Sequence, residues 1–255
     1  MSLVHYEIIG AVAKITLDRP PVNALSGELI ADIDEAIARA QADEIRAVVI
    51  TGTKHFAAGA DIKRFVDAFD SDGDEPIASN LSGVVRRLEQ LEKPVIAAIQ
   101  GYALGGGFEL AMGADFRYVA ESAKVGQPEI LLGIIPGAGG TQRLQRLAGY
   151  QVAKDLNMSG RQVGAEEAVA LHIADKVCRD DELVDVAMSD AQRWATGPTK
   201  AYSAVKRAMG DGYGRPIDEA MAVERDAFEA VFRTGDAKLG ILAFVNKEKP
   251  DFGGS

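Results

Sequence analysis

The chain has 255 residues, 47% hydrophobic and 26% charged, so its composition is that of a folded globular protein and excludes a disordered chain. The formal net charge of -10 disfavours nucleic acid and anionic membrane surfaces as partners, because their phosphate groups carry the same sign. Cys178 is the single cysteine, which excludes an intrachain disulfide. Residues 1–10 contain no apolar leader segment, so we expect a cytoplasmic location.

The first half of the chain alternates strands with helices. A hairpin is predicted where apolar and polar side chains alternate on either side of Gly10, and a helix where apolar residues recur at helical spacing after Ser26. The predicted elements are hairpin strands at 5–9 and 12–17, buried strands at 47–51, 94–99 and 116–119, and helices after 26, at 79–92 and from 105–107. This alternation indicates an α/β fold.

Helices predominate after residue ~140. They are predicted at 140–147, 152–158, 165–172, 182–194, 198–209, 216–232 and 237–245, with one strand at 175–178. The last three helices carry more apolar residues than a small end-piece can bury alone. We therefore divide the chain into a core at 1–196 and a helical oligomerisation region at 197–255.

Two glycine-rich or small-residue segments follow predicted strands. The segment at 56–61 has only small side chains between Phe56 and Asp61, which lets a ligand approach the backbone and leaves N–H groups at the start of the next helix free to donate. Residues 101–109 place three glycines before a helix that carries Glu109 in its first turn. A tight turn explains the first segment equally well, and Glu109 read alone fits a carboxylate that complements its helix dipole. The glycine spacing does not match a dinucleotide-binding fingerprint.

A third segment, at 126–141, contains Glu129 between Pro128 and an apolar run. Partial desolvation there would raise the pKa of Glu129, as suits a group that transfers protons near neutral pH, although a solvated loop glutamate remains an alternative. Together the three segments offer two N–H donors and two carboxylates, the groups that enolate chemistry beside a carbonyl requires. The three histidines show no metal-ligand spacing.

These three segments resemble the crotonase, or enoyl-CoA hydratase/isomerase, superfamily, and the similarity extends over residues 23–249. The resemblance implies a spiral of ββα units followed by a helical trimerisation region, assembled as a trimer or a dimer of trimers. It implies an acyl-CoA substrate whose coenzyme A is part of the substrate, with no separate cofactor and no metal. The implied activity is addition of water to the 2,3-double bond of a trans-2-enoyl-CoA, most commonly in fatty acid β-oxidation.

The resemblance also assigns roles to single residues. It implies that the N–H groups of Ala60 and Gly106 bind the thioester oxygen and that Glu109 and Glu129 are the catalytic acids and bases. The remaining residues that it places in substrate binding are Ala58, Asp61, Ile62, Lys63 and Lys247. Two features depart from close hydratases: Phe108 beside the catalytic glutamate, which is expected to change the pocket wall, and an acidic segment at 70–75, which leaves acyl chain length open.

Two other functions remain open from the sequence. An enoyl-CoA isomerase would move the double bond with one dominant carboxylate. A non-catalytic relative would bind acyl-CoA or RNA, although the net charge of -10 and the intact pair of glutamates both disfavour that function.

Overall fold

The structure is a computed structural model that describes residues 2–61 and 79–255. Ile62 and Lys63, predicted to bind substrate, and the acidic segment at 70–75 lie outside the described residues.

A six-stranded sheet forms the centre of the fold. Its strands are β1 (Val4–Ile9), β2 (Val12–Leu17), β3 (Ala47–Gly52), β5 (Val95–Ile99), β7 (Phe116–Ala120) and β10 (Lys176–Cys178), in that spatial order. Only β1 and β2 are antiparallel, as a hairpin, and every later pair is parallel. Every residue of β3 and β5 is buried, because parallel strands of this kind are covered on both faces.

A second sheet of four short strands stands beside the first. It contains β4 (Ala57–Ala58), β6 (Tyr102–Leu104), β8 (Lys124–Gly126) and β9 (Val163–Gly164), in that order. Strands β4, β6 and β8 are mutually parallel. Each follows a strand of the large sheet directly, so that successive stretches of chain add one strand to each sheet. This repetition is the spiral of ββα units.

Ten α-helices and one 3₁₀ helix lie within the described ranges. They are α1 (Gly27–Arg39), α2 (Ser79–Glu89), α3 (Gly106–Met112), the 3₁₀ helix (Pro128–Leu132), α4 (Gly140–Ala148), α5 (Tyr150–Ser159), α6 (Ala165–Ala170), α7 (Leu183–Ala195), α8 (Thr199–Gly212), α9 (Ile217–Phe232) and α10 (Gly235–Asn246). None of the helices that the structure describes is long and apolar enough to cross a membrane.

Packing of the helices follows their apolar stripes. Helix α1 begins at the predicted Ser26, whose hydroxyl accepts from the N–H of Leu29 at 3.2 Å. Helix α7 packs against β2, β3, β5 and β7, and α1 packs against β1, β2 and α2. In contrast, α9 buries none of its residues, and Phe244 of α10 is 86% exposed. The C-terminal helices therefore present a large apolar surface.

The predicted α/β fold is confirmed, with most element ends displaced by one to three residues. The sequence pattern does not predict the small sheet, because its strands have only two or three residues and show no apolar alternation. Residues 102–104, within the glycine-rich segment at 101–109, form β6.

Candidate active site

The candidate site residues of the three segments at 56–61, 101–109 and 126–141 follow three neighbouring parallel strands of the small sheet. Ala58 of β4 is paired with Leu104 of β6, which is paired with Gly126 of β8. Because the carboxyl ends of parallel strands meet at one edge of a sheet, the residues that follow these strands are brought together there. Ala60 and Gly106 each lie two positions beyond the paired residues, and Glu129 lies three positions beyond.

The backbones of Ala60 and Gly106 are adjacent. A β-carbon placed on Gly106 would lie 3.8 Å from the nitrogen of Ala60. A parallel bridge to Leu25 uses the carbonyl of Gly59 and the N–H of Asp61, so the N–H of Ala60 is directed away from that bridge. Gly106 is the first residue of α3, where the helix leaves N–H groups without internal acceptors.

Neither of these two N–H groups donates to an acceptor in the described part of the chain. As far as the described residues are concerned, both could donate to one external oxygen. Two backbone donors that converge on one carbonyl oxygen constitute an oxyanion hole.

Glu109 lies in the first turn of α3 and is only 2% exposed. Its Oε1 accepts from the N–H groups of Ala138 and Gly140, both at 2.7 Å. Gly140 is the first residue of α4, so Glu109 complements the N-terminus of a different helix from its own. Burial raises the pKa of Glu109, while these two backbone hydrogen bonds act in the opposite direction and stabilise the carboxylate.

Glu129 lies in the first turn of the 3₁₀ helix, beside the peptide that carries the Gly106 N–H. A β-carbon on Gly105 would lie 2.9 Å from Oε1 of Glu129. Burial, with a further contribution from the negative charge of Glu109, raises the pKa of Glu129 to about 7. The two carboxyl groups are therefore coupled, and near neutral pH Glu129 populates both of its protonation states.

Four of the predicted site residues are thus brought together: Ala60, Gly106, Glu109 and Glu129. Of the residues predicted to bind coenzyme A, Ala58 lies in β4 and donates its N–H to the carbonyl of Val22 at 3.0 Å.

The other predicted residues have different surroundings. Asp61 forms an ion pair with Arg19 at 2.7 Å. Lys247 is exposed at the end of α10, and its ammonium forms no ion pair with any of the residues at 2–61 and 79–255. The side chain of Phe108 is fully buried and belongs to the hydrophobic core.

Sequence reasoning gave no role to Gln127 or to the backbone of residues 138 and 140. Gln127 is fully buried, and its side-chain amide, with the nitrogen turned toward Glu129, donates to Oε1 at 2.9 Å and to Oε2 at 3.0 Å. The glycine run before α4 is the one sequence feature that points to these donors, because a helix N-terminus preceded by small residues is suited to bind a carboxylate. No residue pattern along the chain pairs that terminus with Glu109.

Comparisons with known proteins agree with this fold. The family model for enoyl-CoA hydratase/isomerase matches residues 7–255. A short-chain-enoyl-CoA hydratase of Clostridium acetobutylicum is 41% identical over 98% of this chain and 97% of its own length, and a crotonyl-CoA hydratase of Syntrophomonas wolfei is 40% identical over 94% of each chain. The crystal structure of an enoyl-CoA hydratase from Bacillus anthracis superposes with a TM-score of 0.92 at 35% identity, covering 99% of this chain and 100% of that one.

The chain therefore belongs to the enoyl-CoA hydratase/isomerase family, which agrees with the resemblance noted from its motifs. Among the residues that the structure describes, no cluster of three or more His, Cys, Asp or Glu side chains could hold a metal ion.

Proposed function

We propose that this protein catalyses the reversible addition of water to the 2,3-double bond of a trans-2-enoyl-CoA, giving a 3-hydroxyacyl-CoA. The observation that carries the proposal is the convergence of two N–H groups, at Ala60 and Gly106, which have no acceptor among residues 2–61 and 79–255, with two buried or half-buried carboxyl groups, at Glu109 and Glu129. Relatives named as enoyl-CoA and crotonyl-CoA hydratases, at about 40% identity over nearly full length, support the same activity.

The N–H groups of Ala60 and Gly106 donate hydrogen bonds to the thioester oxygen of the substrate. As water adds to the β-carbon, electrons move from the double bond toward the thioester, and the oxygen gains negative charge. Donors fixed in the backbone stabilise this charge more than they stabilise the neutral carbonyl, and one such donor is worth about 3–4 kcal/mol in comparable sites.

The two glutamates transfer the protons. Ionised Glu109 accepts a proton from the attacking water, whose oxygen forms a bond to the β-carbon. Protonated Glu129 gives its proton to the α-carbon as the thioester enolate collapses. The pair ends with the proton on Glu109 instead of Glu129, so transfer between the two carboxyl groups, directly or through solvent, restores the starting state.

Ligand binding and assembly are further parts of the proposal. Ala58, Asp61, Ile62, Lys63 and Lys247 bind the substrate, and coenzyme A enters as part of that substrate, so that no separate cofactor is needed. Residues 197–255 form the oligomerisation region of a trimer or a dimer of trimers, supported by the exposed apolar residues of α9 and α10. A cytoplasmic location is supported by the single cysteine.

The test is a spectrophotometric assay on trans-2-enoyl-CoA thioesters of graded chain length. Hydration removes the conjugated enone absorbance, and Glu109→Gln should reduce turnover by about 10²- to 10⁴-fold. Glu121→Gln is the matched control, because Glu121 is an exposed glutamate in the turn between β7 and β8. Its turnover should equal that of the unmodified enzyme.

Two results would contradict the proposal. One is an unchanged absorbance with every thioester in the series. The other is a Glu109→Gln variant that keeps substantial activity and shifts the double bond, which would indicate an isomerase that works with one carboxylate.

A further inference from the structure

Arg143 connects the loop that holds Glu109 to helix α2. Its Nη1 donates to the carbonyl of Ala138 at 3.0 Å, while Nε and Nη2 donate to the two carboxylate oxygens of Glu89 at 3.3 and 2.9 Å. The N–H of the same Ala138 donates to Glu109. The Glu109 carboxylate and the Arg143 guanidinium therefore bind the two peptide groups on either side of the Ala138 α-carbon.

The guanidinium is held tightly in this position. Its side chain is only 15% exposed, and both carboxylate oxygens of Glu89 accept from it, so its plane is fixed by a forked pair. Burial acts to raise the pKa of Glu89, but the hydrogen bonds from Arg143 and Arg86 outweigh it and keep that carboxyl ionised. Lysine has a single point charge in place of the planar fork and could not make all three contacts at once.

Residue 139 leaves room for this arrangement only because it is glycine. A β-carbon on Gly139 would lie within van der Waals overlap of Nη1 of Arg143, at 2.1 Å. Its φ of 104° also lies in the region that L side chains rarely adopt. The loop therefore turns around the guanidinium, and this turn directs the N–H groups of residues 138 and 140 at Glu109.

We propose that Arg143 is a positioning residue for Glu109, acting through the backbone of Ala138 and Gly140, whose N–H groups hold Oε1. The inference rests on the proposed function, because it concerns the carboxylate that activates water. Arg143 also supplies a positive charge that lowers the pKa of Glu109 against the effect of burial. Its loss should therefore both misplace the carboxylate and make it harder to ionise.

The competing interpretation is that the ion pair only joins α2 to α4. Three variants separate the two. Arg143→Met removes the charge and the hydrogen bonds but keeps much of the side-chain volume. Arg143→Lys keeps the charge without the fork. Arg146→Met is the matched control, because Arg146 lies on the same helix and is exposed. It donates to the Gln142 carbonyl at 2.8 Å and lies over the Tyr213 ring.

We expect Arg143→Met to lower kcat by about 10- to 100-fold, as displacement of a reacting group does, with KM changed less than about twofold. Since Glu109 must be ionised to accept a proton, the acid limb of the kcat profile should move to higher pH. Arg143→Lys should have an intermediate kcat and an acid limb near its original position. Arg146→Met should match the unmodified enzyme in both respects.

An Arg143→Met variant with unchanged kcat would overturn the proposal. So would a fall in kcat with the acid limb unmoved, since a structural ion pair alone would give that result. If Arg143→Met does not fold, full kcat in Arg143→Lys would overturn it, because the forked contacts would then be unnecessary.

Failure of the proposed function is a separate outcome. It would appear as absence of hydration by the unmodified enzyme. In that case infrared titration of the carboxyl groups, with Glu109→Gln as the subtracted reference, measures the pKa of Glu109 without turnover. A pKa that is the same with and without the guanidinium would exclude the coupling.

Discussion

The carboxylate of Glu129 lies against the backbone of Gly105, so closely that a β-carbon at position 105 would lie 2.9 Å from Oε1 and 3.4 Å from the carboxyl carbon. The φ of 52° and ψ of -127° at Gly105 also disfavour any L side chain. One glycine thus aims the Gly106 N–H and makes room for the acid beside it.

Gly105→Ala should therefore lower kcat by about 10- to 100-fold, because the methyl group displaces Glu129. Gly149→Ala is the control: Gly149 also has a positive φ, at 80°, but a β-carbon there meets no atom within 4 Å. Both variants should lose about 1–3 kcal/mol of stability through backbone strain. Steady-state kinetics and urea unfolding measure the two effects, and equal kcat in both variants would refute the contact.

The pH profile of hydration should be bell-shaped, because the active form of the pair carries one proton. Turnover falls in acid as the pair gains a second proton and falls in alkali as it loses the only one. The alkaline limb should lie near the pKa of Glu129, about 7. In Glu129→Gln that limb should vanish from the residual activity, since an amide does not titrate there. A limb that persists unchanged would assign it to another group.

The raised pKa of Glu129 also makes a prediction for stability. Because the folded-state pKa of about 7 exceeds the ordinary 4.5, the folded protein holds more protons between those values, and stability decreases as pH rises through them. Glu129→Gln should therefore be more stable than the unmodified protein above pH 7, by at most about 3 kcal/mol, and should lose that advantage below pH 4.5. Urea unfolding at several pH values measures the difference.

The bonds to Glu109 predict unequal effects of two substitutions. Glu109→Gln keeps an oxygen that can accept from Ala138 and Gly140, so the folded state should be retained while activity is lost. Glu109→Leu leaves both buried N–H groups without an acceptor and should cost about 1–3 kcal/mol for each. Unfolding free energies for the two variants test this, and equal stability would mean that the N–H groups find other partners.

The exposed apolar C-terminal helices predict a dependence of assembly on Phe244. This residue is 86% exposed, and Phe244→Glu should shift the protein toward single chains in sedimentation velocity experiments. Ile8→Glu on β1 is the control, since Ile8 is 53% exposed but lies in the N-terminal hairpin. Full assembly of the Phe244 variant would place the interface elsewhere.

Local patterns were sufficient for much of the fold and singled out the three segments that contain Ala60, Gly106, Glu109 and Glu129, although the roles of these residues came from the family resemblance. The buried runs of β3 and β5 and the capped α1 are defined within a few neighbouring residues, so their sequences predict them well. The small sheet could not be predicted, because strands of two or three residues are stabilised by pairing across the chain and not by local propensity.

The support of Glu109 was unpredictable for a related reason. Its donors lie 29 and 31 residues further along the chain, and Arg143 acts through a carbonyl that no side-chain pattern reveals. Burial raises the pKa of Glu129, as expected, but its apolar neighbours in sequence are not the cause, since Ile130, Leu131 and Leu132 are all exposed.

Main-chain donors have a consequence for how this scaffold can change over evolutionary time. Every amino acid except proline carries an N–H, so ordinary substitution at residue 60 or 106 preserves a donor, although bulk at 106 would press on Leu81 and Leu25. In contrast, a single substitution at residue 109 or 129 removes a carboxyl group. A descendant that lost both acids would still keep the two backbone donors of the proposed site, on which a different reaction could be built.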